Sequence, residues 1–159
     1  MSVFGDYLAA VIHRAQLEAS DAGSAKVEAP HLLLAIAAQT EPSIDPLLEE
    51  FGLDVAAVRA ALDREYEHSL NTVGVTTAAY DLPRPTRLPT RPGIGRSAKL
   101  AMERGFGAVT KKKGLRPAHL LLGVVCAEVG TVPRALALAG VDREAVLARL
   151  RQAIDTPTM

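Results

Sequence analysis

The chain carries one sequence pattern twice. Residues 31–62 align with residues 119–150 without a gap, and 11 of these 32 positions are identical. Both copies begin with the letters HLLL, and both contain a G-x-D turn motif, at Gly52 and at Gly140. A duplicated unit of this length is a structural module that packs against its copy. The repeat therefore constrains the fold more than any single motif does.

Apolar residues recur at helical spacing through the first copy and predict four helices. The first is amphipathic and runs from Phe4 to near Gly23. The second begins at Pro30, because proline is tolerated in the first turn of a helix. The third covers about residues 43–51, and Asp54 is the expected N-cap of the fourth. The buried stripe of the fourth helix is predicted to be Val55, Val58, Leu62 and Tyr66.

The second copy follows the same plan from about Arg96. Taken alone, Leu120 to Ala127 is also compatible with a buried strand, but its counterpart, Leu32 to Ala38, is too rich in alanine. Both are therefore predicted to be central helices. The predicted fold is all-α, a pseudo-two-fold duplication of a four-helix motif with about eight helices. One domain is expected over residues 1–155, with repeat one at 3–70, a linker at 71–95, repeat two at 96–155 and a tail at 156–159.

The linker combines four prolines with three arginines. Four prolines exclude a helix and favour an extended tether or surface arm. Arginines are not buried without partners. Two interpretations remain open, a solvated linker or an arm that docks on the domain or on an acidic partner. The residues concerned are Pro83, Pro85, Pro89 and Pro92 with Arg84, Arg87 and Arg91.

The bulk composition excludes several classes of protein. Lys and Arg number 18, as do Asp and Glu, so no net field attracts nucleic acid or an acidic membrane. The single cysteine, Cys126, cannot form an internal disulfide, which is typical of a reducing compartment. The longest apolar stretch is far shorter than the roughly 20 residues that span a bilayer. These features predict a soluble cytoplasmic protein that binds neither nucleic acid nor membranes.

No motif in the chain points clearly to catalysis. The G-x-G-x-x-A pattern at Gly93 follows a proline-rich segment rather than a strand, so it does not predict a dinucleotide site. The sequence contains no Walker-type P-loop. Cys126 and His119 are two helical turns apart, roughly 10 Å along the axis, which is too far for a thiol and its base. We therefore expect no enzymatic activity and no cofactor.

The four histidines show no helical pairing that would hold a metal, and we expect no metal site. His31 and His119 are equivalent by the repeat, and each lies beside the start of a helix near a proline. A side chain that bonds to local backbone explains both. The lysines at 111–113 are interpreted as the solvated tip of a loop.

A two-fold repeat of four helices, with HLLL at the second helix and a G-x-D turn before the fourth, resembles the Clp N-terminal domain. This is the amino-terminal module of the Clp unfoldases of the Hsp100 family, and the ClpC branch is the most similar. The resemblance extends over about residues 3–154. It implies an all-helical domain that binds substrates, adaptors or peptides and delivers them to an ATP-driven unfoldase. Because the chain ends where ATPase modules would begin, a free-standing copy is expected.

The resemblance also implies a binding groove. Phe4 and the segment Ala15 to Ala19 match the family's first helix, and Ala98 and Lys99 match the helix that opens the second repeat. In ClpC relatives the faces of these two helices take peptides, including cyclic peptides. An alternative is that the apolar members are simply core. The corresponding positions are Phe4, Ile12, His13, Gln16, Ile94, Lys99, Met102 and Glu103.

Other positions depart from the family pattern. The glutamate before the histidine of the motif, which helps hold phosphoarginine in ClpC, is replaced by Pro30 and Ala118. Without a carboxylate to pair the guanidinium, phosphoarginine recognition is in question. Gly105 and Gly107 are expected to weaken the fifth helix.

The resulting hypothesis is a non-catalytic adaptor, decoy or sequestering protein that binds a ClpC-like ATPase, its substrates or cyclic peptides. The alternatives are a small enzyme that uses Cys126 or His119, and a partner that dimerises through the proline-arginine arm.

Overall fold

The computed structural model describes residues 2–74, 91–107, 109 and 114–155. Within these ranges the chain forms eight helices and two short strands. The first half contains α1 (Val3–Asp21), β1 (Lys26–Val27), α2 (Ala29–Ala38), α3 (Asp45–Glu50) and α4 (Val55–Thr72). The second half contains β2 (Gly93–Ile94), α5 (Arg96–Phe106), α6 (Pro117–Val125), α7 (Thr131–Leu138) and α8 (Arg143–Asp155). The predicted all-α fold is confirmed.

Three predictions fall on residues outside the described part of the chain. They concern residues 75–90 of the linker with its arm, the lysines at 111–113, and the tail at 156–159. None of the helices in the described ranges combines the length and the apolar character that crossing a bilayer requires.

The two repeats share one helical arrangement. Helix α2 packs against α1 and α4, and α6 packs in the same way against α5 and α8. The turn before the last helix is also the same, since Gly52 and Gly140 have φ angles of 66° and 74°. The aspartate that follows, Asp54 or Asp142, accepts a hydrogen bond from the backbone N–H three residues later. The predicted G-x-D turns and the predicted N-cap at Asp54 are thereby confirmed.

The core lies around α2 and α6, which contact each other at the centre of the molecule. Their HLLL motifs contribute four leucines that are at most 1 % exposed, namely Leu32, Leu33, Leu120 and Leu121. Because both helices are apolar on most sides, they are covered by neighbouring helices on most sides. The prediction of two central helices is confirmed.

The predicted burial of Tyr66 is wrong, since 44 % of this residue is exposed. The neighbouring Glu65 is buried in its place, and its carboxylate binds Arg134 of α7 at 2.9 Å and the hydroxyl of Ser69 at 2.6 Å. A buried carboxylate needs such partners. This pairing joins the two repeats and leaves Tyr66 at the surface.

Helices α5 and α6 approach each other so closely that only glycine fits at the crossing. A Cβ atom on Gly123 would lie 1.9 Å from the carbonyl oxygen of Ala101. A Cβ atom on Gly105 would lie 2.2 Å from the carbonyl oxygen of His119. Glycine has a low helix propensity, so Gly105 was expected to weaken this helix. In the structure Gly105 is buried, and its lack of a side chain allows the backbones of α5 and α6 to pack closely.

We predict that Gly123→Ala lowers the free energy of unfolding by about 2 kcal/mol. Overpacking costs about 1–3 kcal/mol, and the upper end applies here because the clash is with backbone atoms. The better helix propensity of alanine offsets about 1 kcal/mol of this cost. Chemical denaturation followed by circular dichroism measures the change. Ala148→Ser, which adds one heavy atom at an exposed position of α8, is the control and should stay within about 0.5 kcal/mol. Equal stability of the two variants would contradict the close crossing.

His31 and His119 occupy equivalent structural positions at the starts of α2 and α6. Nδ1 of His31 accepts the backbone N–H of Glu28 at 2.9 Å, and Nδ1 of His119 accepts that of Arg116 at 3.0 Å. The predicted bonding to local backbone is confirmed. Burial lowers the pKa of both imidazoles, and the charge of Arg116 lowers the pKa of His119 further. Both side chains are therefore neutral acceptors in the folded state.

Because both pKa values are lower in the folded state, the unfolded chain takes up protons first as the pH falls. We predict that stability is complete above about pH 6.5 and declines below it, by up to about 1.4 kcal/mol per pH unit for each histidine. Glutamine at this helix position can also accept the same N–H, so His31→Gln with His119→Gln should flatten the decline between pH 7 and 5. The control variant His13→Gln, at an exposed position of α1, should leave this decline in stability unchanged. An unchanged slope in the double variant would contradict this assignment.

Candidate functional site

One edge of α1 faces the segment that begins repeat two. Phe4, Leu8, Ile12 and Gln16 follow one another at intervals of four and are all half-buried. The ring of Phe4 contacts the ring of Phe106 edge-on, with centroids 5.6 Å apart. At the other end, Nε2 of Gln16 donates to the carbonyl oxygen of Pro92 at 3.0 Å. Helices α1 and α5 therefore run antiparallel, and the surface between them is called the α1–α5 face.

The second wall of this face comes from β2 and α5. Ile94 and Met102 are half-buried and pack against the core, as Phe4 does. Lys99 and Glu103 are exposed one helical turn apart on α5. His13 is exposed on α1, next to Ile12. The structure thus places the eight predicted positions along two neighbouring segments.

The α1–α5 face combines partly covered apolar side chains with charged groups of both signs. Phe4, Ile94 and Met102 pack against the core with one side and keep part of their surface accessible. Lys99 can donate to a carboxylate or a carbonyl group, and Glu103 can accept from a cationic or amide group. A surface of this kind fits a peptide that has an apolar anchor and polar flanks.

The position of α5 is fixed by hydrogen bonds from repeat one. Strand β2 pairs in parallel with β1, with Val27 opposite Ile94. The N–H of Gly95 then donates to the carbonyl oxygen of Val27 at 2.8 Å. These bonds hold the start of α5 against the loop between α1 and α2.

A side-chain exchange between Glu28 and Ser97 completes this junction. The carboxylate of Glu28 accepts the backbone N–H of Ser97 at 3.3 Å and its hydroxyl at 3.2 Å. The hydroxyl of Ser97 in turn accepts the N–H of Ala29, the first residue of α2, at 2.8 Å. The first N–H groups of a helix have no partner within the helix, and a negative charge there is favoured by the helix dipole. Each repeat therefore satisfies the helix start of the other.

Phe106, Glu28 and Ser97 also belong to this arrangement, although no sequence pattern predicts them there. The glutamate of the family motif is absent at Pro30, but Glu28 stands two residues earlier and binds within the domain. The partners are 69 residues apart in sequence, so no local pattern connects them. The one sequence feature that could have pointed to the junction is a serine, Ser97, near the start of a predicted helix.

The structure also shows the surroundings of the two residues considered for catalysis. Cys126 is half-buried, and its Sγ lies 3.4 Å from the carbonyl oxygen of Gly123. His119 is only 3 % exposed, and its Nδ1 is occupied by the backbone. Within the described ranges, no three His, Cys, Asp or Glu side chains are grouped so that they could hold a metal ion.

Comparison with known families gives one match. Residues 4–87, just over half of the chain, match the model of the Clp repeat (R) N-terminal domain. This range contains helices α1 to α4 and the contact residues Phe4 and Gln16. No curated protein matches the chain.

We predict that Ser97→Ala lowers the free energy of unfolding by about 1–2 kcal/mol, because the N–H of Ala29 loses its acceptor in a partly buried place. Urea denaturation measures the change. The control is Ser43→Ala, where the hydroxyl is exposed and the effect should stay within about 0.5 kcal/mol. Wild-type stability in Ser97→Ala would show that the junction contributes nothing to folding.

Proposed function

Because the chain belongs to the Clp repeat (R) N-terminal domain family, we propose that it is a non-catalytic peptide- and protein-binding module of the Clp proteolysis system. It acts as an adaptor, decoy or sequestering protein, and its partners are a ClpC-like ATPase or the substrates and peptides of that ATPase. The observation that carries this proposal is the family match over the segment that builds one wall of the α1–α5 face.

Binding at the α1–α5 face uses a few anchors. An apolar side chain of the ligand packs between Ile12 and Met102, and Lys99 pairs with a carboxylate or carbonyl group. A small number of well-packed anchors supplies most of the affinity at such surfaces. Cyclic peptides suit the face because ring closure reduces the conformational entropy lost on binding.

The contacts of the candidate catalytic residues also support a binding role. Nδ1 of His119 accepts a backbone N–H, so it is not available as a base for a thiol. Cys126 aligns with Ala38 of repeat one, and its own side chain packs against the core. Replacement of Cys126 by alanine therefore leaves ligand binding intact, whereas an activity that is lost without loss of folding favours the enzyme hypothesis.

Calorimetric titration tests the proposal with three probes, namely linear substrate peptides, cyclic peptides and a ClpC-type hexamer. We expect saturable binding of at least one. In the variant that combines Lys99→Glu with Met102→Asp, the affinity should fall at least tenfold, because the variant removes an anchor and reverses the charge. Arg151→Glu, at an exposed position of α8, reverses a charge elsewhere and should bind like the wild type. Absence of saturable binding to all three probes would contradict the proposal.

A further inference from the structure

The two-stranded sheet leaves one edge of β2 without a strand beside it. The N–H of Gly95, directly after β2, points to β1 and donates to the carbonyl oxygen of Val27 at 2.8 Å. Successive residues of a strand direct their backbone groups to opposite edges, so the N–H and C=O of Ile94 point away from β1. Among the residues that the structure describes, none forms a hydrogen bond with either group. Ile94 therefore presents a free backbone donor and a free backbone acceptor.

This outer edge of β2 faces helix α1. Pro92 lies two residues before Ile94, so its carbonyl oxygen points to the same edge. Nε2 of Gln16 on α1 donates to that oxygen at 3.0 Å. A side-chain amide thus occupies the place that the N–H of a third strand would take. Because Gln16 belongs to the α1–α5 face, the backbone groups of Ile94 open toward the same face.

The two sides of the small sheet differ in chemistry. On the inner side, Val27 lies opposite Ile94, and both pack in or against the core. On the outer side, the exposed Lys26 lies opposite Gly93, and a Cβ atom on Gly93 would lie 3.7 Å from Nζ of Lys26. Within the described ranges no acidic side chain forms an ion pair with Lys26. Neighbouring strands are about 4.8 Å apart, so this ammonium group can reach a strand on the far side of β2.

A polypeptide fits this edge better than a free anion does. An N–H and a C=O on one residue call for a ligand that both accepts and donates, as a peptide group does. A free anion would instead be drawn to the start of α5, where backbone N–H groups point outward. That place is occupied, because the carboxylate of Glu28 accepts the N–H of Ser97 at 3.3 Å.

We propose that β2 receives an extended segment of the peptide ligand as a third strand. The main chain of the segment donates one N–H to the C=O of Ile94 and offers one C=O to its N–H, as in other cases of strand addition to a sheet edge. Side chains of a strand alternate between the two sides, so those on the side of Lys26 are acidic and those on the side of Ile94 are apolar. The inference rests on the proposed function, since the ligand is a peptide on the α1–α5 face, and it names the main-chain contact and the ligand pattern.

Nuclear magnetic resonance of the ¹⁵N-labelled 159-residue chain tests the inference through the amide of Ile94. The probe is the peptide acetyl-Asp-Val-Asp-Val-Asp-amide. We expect saturable shifts, and exchange of the Ile94 amide with solvent at least tenfold slower in the complex. The amide of Gly95 donates to Val27 already without ligand, so it is the internal reference and should change less than twofold. Absence of binding, or binding that leaves the exchange of the Ile94 amide unchanged, would overturn the inference.

Modified peptides separate the main-chain contact from the charge. N-methylation removes backbone N–H groups and keeps the side chains, so it is applied either to the valines or to the aspartates. Only one of these two sets points to β2, and its N-methylation should weaken binding at least tenfold, while the other version binds like the unmodified peptide. Equal effects of the two versions would contradict main-chain pairing. The peptide acetyl-Lys-Val-Lys-Val-Lys-amide should bind at least tenfold more weakly, and equal binding would contradict the acidic pattern.

Variants of the chain locate the contact at β2. Ile94→Pro removes the free N–H and should weaken the probe at least tenfold, whereas Ile94→Val keeps the N–H and should weaken it less than threefold. Lys26→Glu should weaken the probe and strengthen the lysine peptide. Arg151→Glu, at an exposed position of α8, is the matched charge reversal and should bind like the wild type. Equal binding by Ile94→Pro and Ile94→Val would overturn the inference, and if circular dichroism shows Ile94→Pro to be unfolded, the N-methylated peptides decide.

The exchange rate of the Ile94 amide also separates this inference from the proposed function. If substrate peptides, cyclic peptides or the hexamer bind the α1–α5 face and neither they nor the probe slow this exchange, the inference fails and the proposed function stands. If the probe slows the exchange while substrate peptides, cyclic peptides and the hexamer all fail to bind, the proposed function fails instead.

Discussion

The backbone groups at the start of α5 would have no partners if repeat one did not supply them. Glu28 accepts from these groups, β1 pairs with β2, and Ser97 returns a bond to the start of α2. These contacts set the position of α5, whose far end meets α1 through the rings of Phe106 and Phe4, and the α1–α5 face depends on that position. Loss of this junction would affect the α1–α5 face as well as the stability of the domain.

The repeat made the helices, turns and caps predictable, because each of these features depends on residues close in sequence. The apolar spacing, the aspartate caps and the histidine acceptors are local, and both copies carry them. Contacts between helices, whether within one repeat or across the two, are of another kind. Burial of Glu65 requires Arg134 of the other repeat, and close packing of α5 on α6 requires Gly105 opposite Gly123. Such pairs leave no periodic pattern in a single sequence. The pairing of Glu65 with Arg134 could therefore not be predicted, and neither could the exposure of the neighbouring Tyr66.

The candidate site was predictable to a smaller extent. Its eight positions came from a resemblance, and the structure places them along two adjacent segments. Phe106 and Gln16 show how those segments meet, through a ring contact and a hydrogen bond to Pro92. The two repeats share a backbone plan and differ in the charges placed on it, as Glu28 before α2 and Arg116 before α6 show.

We propose that the two helical repeats are joined so that the face between α1 and α5 captures polypeptides without transforming them. Hydrogen–deuterium exchange with a bound substrate peptide or ClpC-type unfoldase is the most direct test. The account predicts slower exchange in α1, β2 and α5, with α8 unchanged and the ligand recovered intact. Protection confined to α8, or chemical conversion of the ligand, would contradict it.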